Sequence, residues 1–324
     1  MNERDLLALG TLGAQRIRVL LASARFVMPT ARGPTRPDQS LAGRVVALLF
    51  FEDSTRTRIG FTMAARRLGA DVIDLHAGRS SLNKGESFAD TARTIEAMGA
   101  DALVVRTRQA GGAALIARAV ACPVINAGDG SHEHPTQGLT DAYALAEAAD
   151  RLDGFDLSGL RVAIVGDVAN SRVARSDIAA LGALGAEVTC VGPPALAPAS
   201  LETLGCRVGR DLDAVLPSMD AAIMLRVQFE RHGGDDPGGQ LPGQSPLIGS
   251  VREYRAAYAL SAERARLMKP SAVLMHPGPV NRGLEIDPAV ANGLDGGPAS
   301  LILRQVAIGV GVRMSVLQEL VAPR

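Results

Sequence analysis

Val45-Val46-Ala47-Leu48-Leu49-Phe50-Phe51, followed at once by Glu52-Asp53-Ser54-Thr55-Arg56-Thr57-Arg58 and the helical spacing of Ile59 to Leu68, is the stretch that decides the fold. An uninterrupted apolar run of strand length has to be buried on both faces, the condition of a strand in a parallel sheet covered by helices. Runs of the same kind recur at Val72–Leu75, Ala102–Val105, Val124–Ile125, Val162–Val165, Val188–Val191, Ala221–Leu225 and Ala272–Met275, with amphipathic segments of helical length between them. The alternation predicts an α/β chain of two doubly wound domains, each a mainly parallel sheet with helices on both faces. It lapses from about Ala146 to Ser158. The expected division is therefore a first domain over 1–148, completed by a C-terminal helix over 299–324, and a second over 149–298. Arg4 to Phe26 reads as an opening amphipathic helix, stopped by the Pro-rich segment from Pro29 to Pro37. The stretch from Gly233 to Gly249, Gly/Pro-rich over 233–245, lacks periodicity and reads as a mobile loop.

The chain has 324 residues with 34 basic and 34 acidic side chains, a formal net charge of zero, and 3% aromatic residues. That balance lacks the basic footprint and the stacking platforms of a nucleic-acid binder. No apolar run approaches the roughly 18 residues a membrane span needs. The start, Met-Asn-Glu-Arg-Asp, lacks the basic-then-apolar pattern of a secretory signal. The expectation is a cytoplasmic protein that binds neither nucleic acid nor membrane. Cys122, Cys190 and Cys206 are odd in number and form no Cys-x-x-Cys, which points to reduced thiols rather than a disulfide framework or a zinc site. Lysine occurs only at Lys84 and Lys269, so the other 32 basic residues are Arg. A retained Lys marks a place where a compact ammonium serves better than a guanidinium.

Ligands of open α/β sheets bind beyond the carboxyl ends of the strands, so the polar residues there carry the functional reading. Ser54-Thr55-Arg56-Thr57-Arg58 brings hydroxyls and guanidiniums to a helix N-terminus whose dipole favours an anion, as a phosphate cradle would; surface arginines on a capped helix would need a compensating anion. No Walker A run and no Gly-x-Gly-x-x-Gly is present, which excludes the usual triphosphate and dinucleotide loops. Ser80-Ser81-Leu82-Asn83-Lys84-Gly85 is either a loop delivering a point charge or a solvated loop whose Asn83 caps the next helix. Arg106 closes the third strand. His134 precedes Pro135, which suits a first helical position, and lies one turn before Gln137. A neutral imidazole donating to an oxyanion fits that place, and His132-x-His134 as a metal pair is the weaker alternative. In the second half, Arg172 and Arg226 follow strands and could clamp a dicarboxylate through bidentate forks, or each be an ordinary salt-bridged Arg. His276-Pro277-Gly278-Pro279 makes a stiff turn whose carbonyls are either acceptors for an amide N–H or purely structural.

Taken together, Ser54-Thr-Arg-Thr-Arg58, Lys84-Gly-Glu, His134-Pro-Thr-Gln137, Arg226-Val-Gln-x-Glu-Arg231 and His276-Pro-Gly-Pro-Val-Asn-Arg282, in this order, resemble the carbamoyltransferases, and in particular the catalytic chains of aspartate carbamoyltransferases. Ornithine carbamoyltransferases carry a His-Cys-Leu-Pro run and a Trp-containing run instead, and this chain has no Trp. The resemblance implies that Ser54, Thr55, Arg56, Thr57 and Arg106 hold the phosphate. It implies that His134, with Thr57 and Arg106, polarises the carbonyl. Gln137 and the carbonyls of the Pro277-Gly278-Pro279 turn would receive the carbamoyl amide. Arg172, Arg226 and Gln228 would read aspartate, and Lys84 with Ser80 or Ser81 would reach in from a neighbouring subunit of a homotrimer. It implies no metal and no organic cofactor, and leaves room for a regulatory or dihydroorotase-like partner chain. Ornithine as acceptor, a metal-dependent amidohydrolase built on His132-x-His134, and a non-catalytic anion-binding subunit are the competing readings.

Overall fold

Strand β1 (Val45–Phe50), all apolar and buried past its first residue, is an inner strand of a four-stranded sheet in the order β2-β1-β3-β4, where β2 is Asp71–His76, β3 Ala102–Thr107 and β4 Val124–Asp129. Every pairing between these strands is parallel. The computed structural model describes residues 4–32, 38–76, 87–229, 247–248 and 250–322. Helices α1 (Gly13–Arg32), α2 (Thr55–Arg67), α3 (Phe88–Ala97), α4 (Gly112–Ala117) and α5 (Pro135–Ala148) alternate with the strands. The chain divides into two compact units, Met1–Tyr143 with Val306–Arg324, and Ala144–Gln305.

The second unit holds a six-stranded, all-parallel sheet. Its strands are β5 (Arg161–Val165), β6 (Glu187–Val191), β7 (Arg207–Gly209), β8 (Ala221–Met224), β9 (Val273–Met275) and β10 (Ala299–Ser300), in the order β10-β9-β8-β5-β6-β7. Helices α6 (Arg172–Ala183), α7 (Leu212–Val215), α8 (Val251–Tyr258), α9 (Ala262–Ala265) and α10 (Pro288–Ala291) fall within it, and α11 (Ile302–Val321) runs from it into the first unit. The doubly wound α/β expectation is met. In each sheet the strand order reverses once, between β1 and β3 in the first unit and between β5 and β8 in the second, and such reversals open the crevices in which α/β proteins bind ligands.

The N-terminal helix is a correction. It begins at Gly13, not near Arg4, and continues through Pro29 to Arg32. Residues 4–12 are used otherwise: Leu6 forms a parallel bridge with Ile125, its N–H donating to Val124 O and its carbonyl accepting from Asn126 N, both at 2.9 Å. Pro29 is tolerated because it lies in the last turn, where its missing N–H forfeits a single backbone bond. At the other end, the expected helix over 299–324 starts at Ile302, because Ala299 and Ser300 pair with β9 first. The capping role considered for Asn83 falls to Ser87, whose Oγ accepts from Asp90 N at the start of α3. Residues 233–245 lie outside the described residues.

Candidate active site

The first unit gathers its site at the β1/β3 reversal. Phe50 pairs with Arg106, and Phe51 N donates to Arg106 O at 2.8 Å, so Arg106 stands beside the turn that opens α2. Ser54 is the N-cap of α2 in extended conformation, and its side chain makes no capping hydrogen bond. Thr55, Arg56 and Thr57 form the first turn, Thr55 and Arg56 exposed and Thr57 buried. No acidic residue stands in that turn, so the positive end of the helix dipole is not offset from within α2.

A second helix N-terminus meets the first. Pro135 is the first residue of α5, His134 directly precedes it, and His134 Nε2 lies 3.3 Å from Thr57 Oγ1 with both side chains buried. Arg106 is also buried, donating from Nη1 to Ala127 O at 3.1 Å and from Nη2 to Glu52 Oε1 at 3.4 Å. These contacts hold the guanidinium at the end of β3. Gln137, one turn into α5, donates from Nε2 to Asp141 Oδ1 at 2.8 Å. The approach to His134 is braced by Asp129, whose carboxylate accepts from Gly111 N, Asn126 Nδ2 and Glu133 N. Glu133 in turn accepts from Leu9 N and Gly10 N at 2.8 and 3.1 Å. His132 faces Asp129, Nδ1 to Oδ2 3.0 Å, while His134 faces Thr57, so the two imidazoles of His132-x-His134 address different partners. Among the described residues no group of three or more His, Cys, Asp or Glu side chains is arranged to hold a metal ion.

The second unit brings Arg172, Arg226 and Gln228 to the β5/β8 reversal. Arg172 is the buried first residue of α6, whose N-cap Ser171 accepts from Ala174 N. Arg226 and Gln228 follow β8, both half-buried. Asp167, after β5, ties the two turns together: its Oδ2 accepts from Gln228 N at 3.2 Å and its Oδ1 from Asn170 Nδ2 at 2.8 Å. Gln228 Nε2 also donates to Asn170 O at 3.3 Å. After β9, the His276 turn is held from behind. Gly278 N donates to His276 Nδ1 at 2.7 Å, so that nitrogen carries a lone pair and the ring proton sits on Nε2, which faces Glu285 Oε1 at 3.3 Å. The same Glu285 oxygen accepts from Asn281 N at 2.6 Å, closing the turn that contains Gly278 and Pro279. Ser80, Ser81 and Lys84 lie outside the described residues.

Sequence reading found the residues at strand ends and missed the ones behind them: Glu52, Asp141 and Glu285. Asp141 alone carried a local signal, four residues after Gln137 on one helix face.

Residues 4–147 match the model of the aspartate/ornithine carbamoyltransferase carbamoyl-P binding domain. The chain is 46% identical over 317 residues to the aspartate carbamoyltransferase catalytic subunit of Novosphingobium aromaticivorans, covering 98% of this chain and 89% of that one. Its structure is similar to the aspartate transcarbamoylase of Trypanosoma cruzi in complex with carbamoyl phosphate and aspartate, with TM-score 0.83, 28% identity, and 98% and 97% of the two chains covered. The fold is shared with the ornithine carbamoyltransferase of Thermus thermophilus, at TM-score 0.81 and 23% identity over 99% and 100% of the chains. The chain belongs to the aspartate/ornithine carbamoyltransferase family.

Proposed function

We propose that this protein transfers the carbamoyl group of carbamoyl phosphate to the amine of L-aspartate, giving N-carbamoyl-L-aspartate and phosphate for pyrimidine biosynthesis. The observation that supports this best is the meeting of two helix N-termini at Thr57 and His134, 3.3 Å apart and buried, beside a buried Arg106. Donors and dipoles of one sign, fixed before substrate arrives, suit a doubly charged phosphate and a carbonyl oxygen that gains charge.

In this reading the first unit is the carbamoyl phosphate domain and the second the aspartate domain. Ser54, Thr55, Arg56 and Thr57 hold the phosphate with Arg106. His134, Thr57 and Arg106 stabilise the oxyanion that forms as the neutral amine attacks the carbonyl. Gln137 and the carbonyls around Gly278 and Pro279 orient the carbamoyl amide. The departing phosphate accepts the amine proton, so no covalent enzyme intermediate and no cofactor are needed; positioning and electrostatics supply the rate. Arg172, Arg226 and Gln228 read the two carboxylates of aspartate. Lys84 is contributed by the neighbouring subunit of a cytoplasmic homotrimer.

Incubating the purified protein with carbamoyl phosphate and L-aspartate, with L-ornithine in parallel, tests the reaction. Carbamoylaspartate and phosphate are expected in equal amounts, unaffected by chelators; equal use of ornithine would sink the assignment. Refolding Lys84→Ala and Arg106→Ala chains together tests the shared site. A cyclic trimer with mixed subunits always has one sound junction, so activity should return to about a quarter of native. Recovery no better than either parent places Lys84 in its own subunit's site.

A further inference from the structure

Behind Gln137 lies a buried pair of opposite charges that the roles above leave unused. Asp141, fully buried on α5, accepts the Nε2 proton of Gln137 at 2.8 Å. A carboxylate has no proton to give, so the nitrogen of the Gln137 amide has to face it and the oxygen is left on the other branch. The counter-charge comes from α11, where Arg313 is buried and lies within the Coulomb field of Asp141. Its Nη1 donates to Gly309 O at 2.8 Å, and its guanidinium carbon lies 5.4 Å from the centre of the Phe61 ring on α2. Two glycines make the room: a Cβ on Gly60 of α2 would stand 2.9 Å from Arg313 Nη1, and one on Gly309 would stand 2.6 Å from it. Burial lowers the guanidinium to about 10 while the Asp141 charge pulls it back up. A helix contact needs no such cation; an apolar side chain would pack there without the desolvation cost.

We propose that Asp141 and Arg313 are positioning residues that fix the polarity of the Gln137 amide, so that it offers an acceptor to the carbamoyl N–H and disfavours acyl phosphates that lack one. The inference rests on the reading of Gln137 as the group that meets the carbamoyl amide. With the amide turned round, its NH2 would confront the carbamoyl NH2, donor against donor. With the amide held, a methyl group in place of the carbamoyl NH2 leaves Gln137 Oε1 without its hydrogen bond.

The test compares carbamoyl phosphate, acetyl phosphate and inorganic phosphate as ligands of the native protein, Asp141→Asn and Arg313→Met. Asn at 141 can present either a donor or an acceptor, so Gln137 should populate both orientations. In Asp141→Asn the affinity for carbamoyl phosphate should fall by the share of Gln137 left in the binding orientation, about twofold for an even split, while acetyl phosphate and inorganic phosphate are unchanged. Arg313→Met should move the same ratio in the same direction. Should either single variant fail to fold, Asp141→Asn/Arg313→Met removes both charges, leaves no uncompensated ion, and carries the same expectation. Parallel loss of all three ligands, or an unchanged ratio, makes the pair structural only and overturns the proposal. Carbamoylaspartate formation by the native protein is measured alongside. Its absence sinks the parent reading, whereas a working native enzyme with an unchanged ratio in the variants sinks this inference alone.

Discussion

At the β1/β3 reversal of the first unit the reactive groups hold one another: Thr57 faces His134, and Arg106 is tied to Ala127 O and Glu52. At the β5/β8 reversal of the second unit the turns that carry Arg172 and Gln228 are joined through Asp167, which clips the Gln228 backbone to the Asn170 turn. The same topological device recurs in the two units with different side chains around it. In the proposed reading a phosphate with a developing oxyanion is met by buried donors at helix ends, where the low dielectric strengthens each interaction. In the same reading a dicarboxylate is met by arginines on turns that a shared carboxylate joins, so recognition in the second unit depends on the register of two loops.

The comparison breaks most visibly at His134. His134→Ala should lower turnover about 10²–10³-fold, the scale of one lost oxyanion donor, with carbamoyl phosphate still bound because Arg56 and the helix N-terminus remain. Near-normal turnover at saturating substrates would remove His134 from the chemistry. In the second unit, Arg226→Lys should raise the KM for aspartate about tenfold or more, since an ammonium cannot reproduce a bidentate fork, and leave the KM for carbamoyl phosphate unchanged. A matching rise for carbamoyl phosphate would mean that the two halves of the reading do not separate by unit. The smallest effect is expected at Asp167→Asn, where one of two acceptors becomes a donor. The loss of about 0.5–1.5 kcal/mol corresponds to a few-fold rise in the aspartate KM. Unchanged kinetics there would show that the turns keep their register without the clip.

How much of this is legible in the sequence follows from how local each cause is. Eight apolar runs mark eight strands because parallel strands buried on both faces are written continuously. β7 and β10 escape because they are three and two residues long, and their pairing is decided by their neighbours rather than by their own pattern. Leu6, Leu7 and Leu9 look helical in spacing, yet their burial comes with an extended segment whose backbone joins the edge of β4. The site is legible where it lies a few residues beyond a strand, as at Ser54–Thr57, Arg106 and His134. It is not legible where support comes from far along the chain: Glu285 reaches His276 from nine residues away, and Arg313 comes within the field of Asp141 from a helix more than a hundred residues later. No periodicity announces such partners, because tertiary approach alone brings them together.

The first unit is discontinuous, opening with Met1–Tyr143 and closing with Val306–Arg324, while the second is one uninterrupted stretch. During synthesis this spacing becomes time. Once Tyr143 has been added, about 160 residues of the second unit come before Val306. At bacterial or eukaryotic rates of roughly 5–20 residues per second that is an interval of roughly ten to thirty seconds. Through it, Arg106 at the end of β3 and His134 before α5 already exist as chain, while Arg313 of α11 has not been made. The second unit has all of its own sequence before the first does, so the unit that holds Arg106 and His134 is the later of the two to be completed on the ribosome.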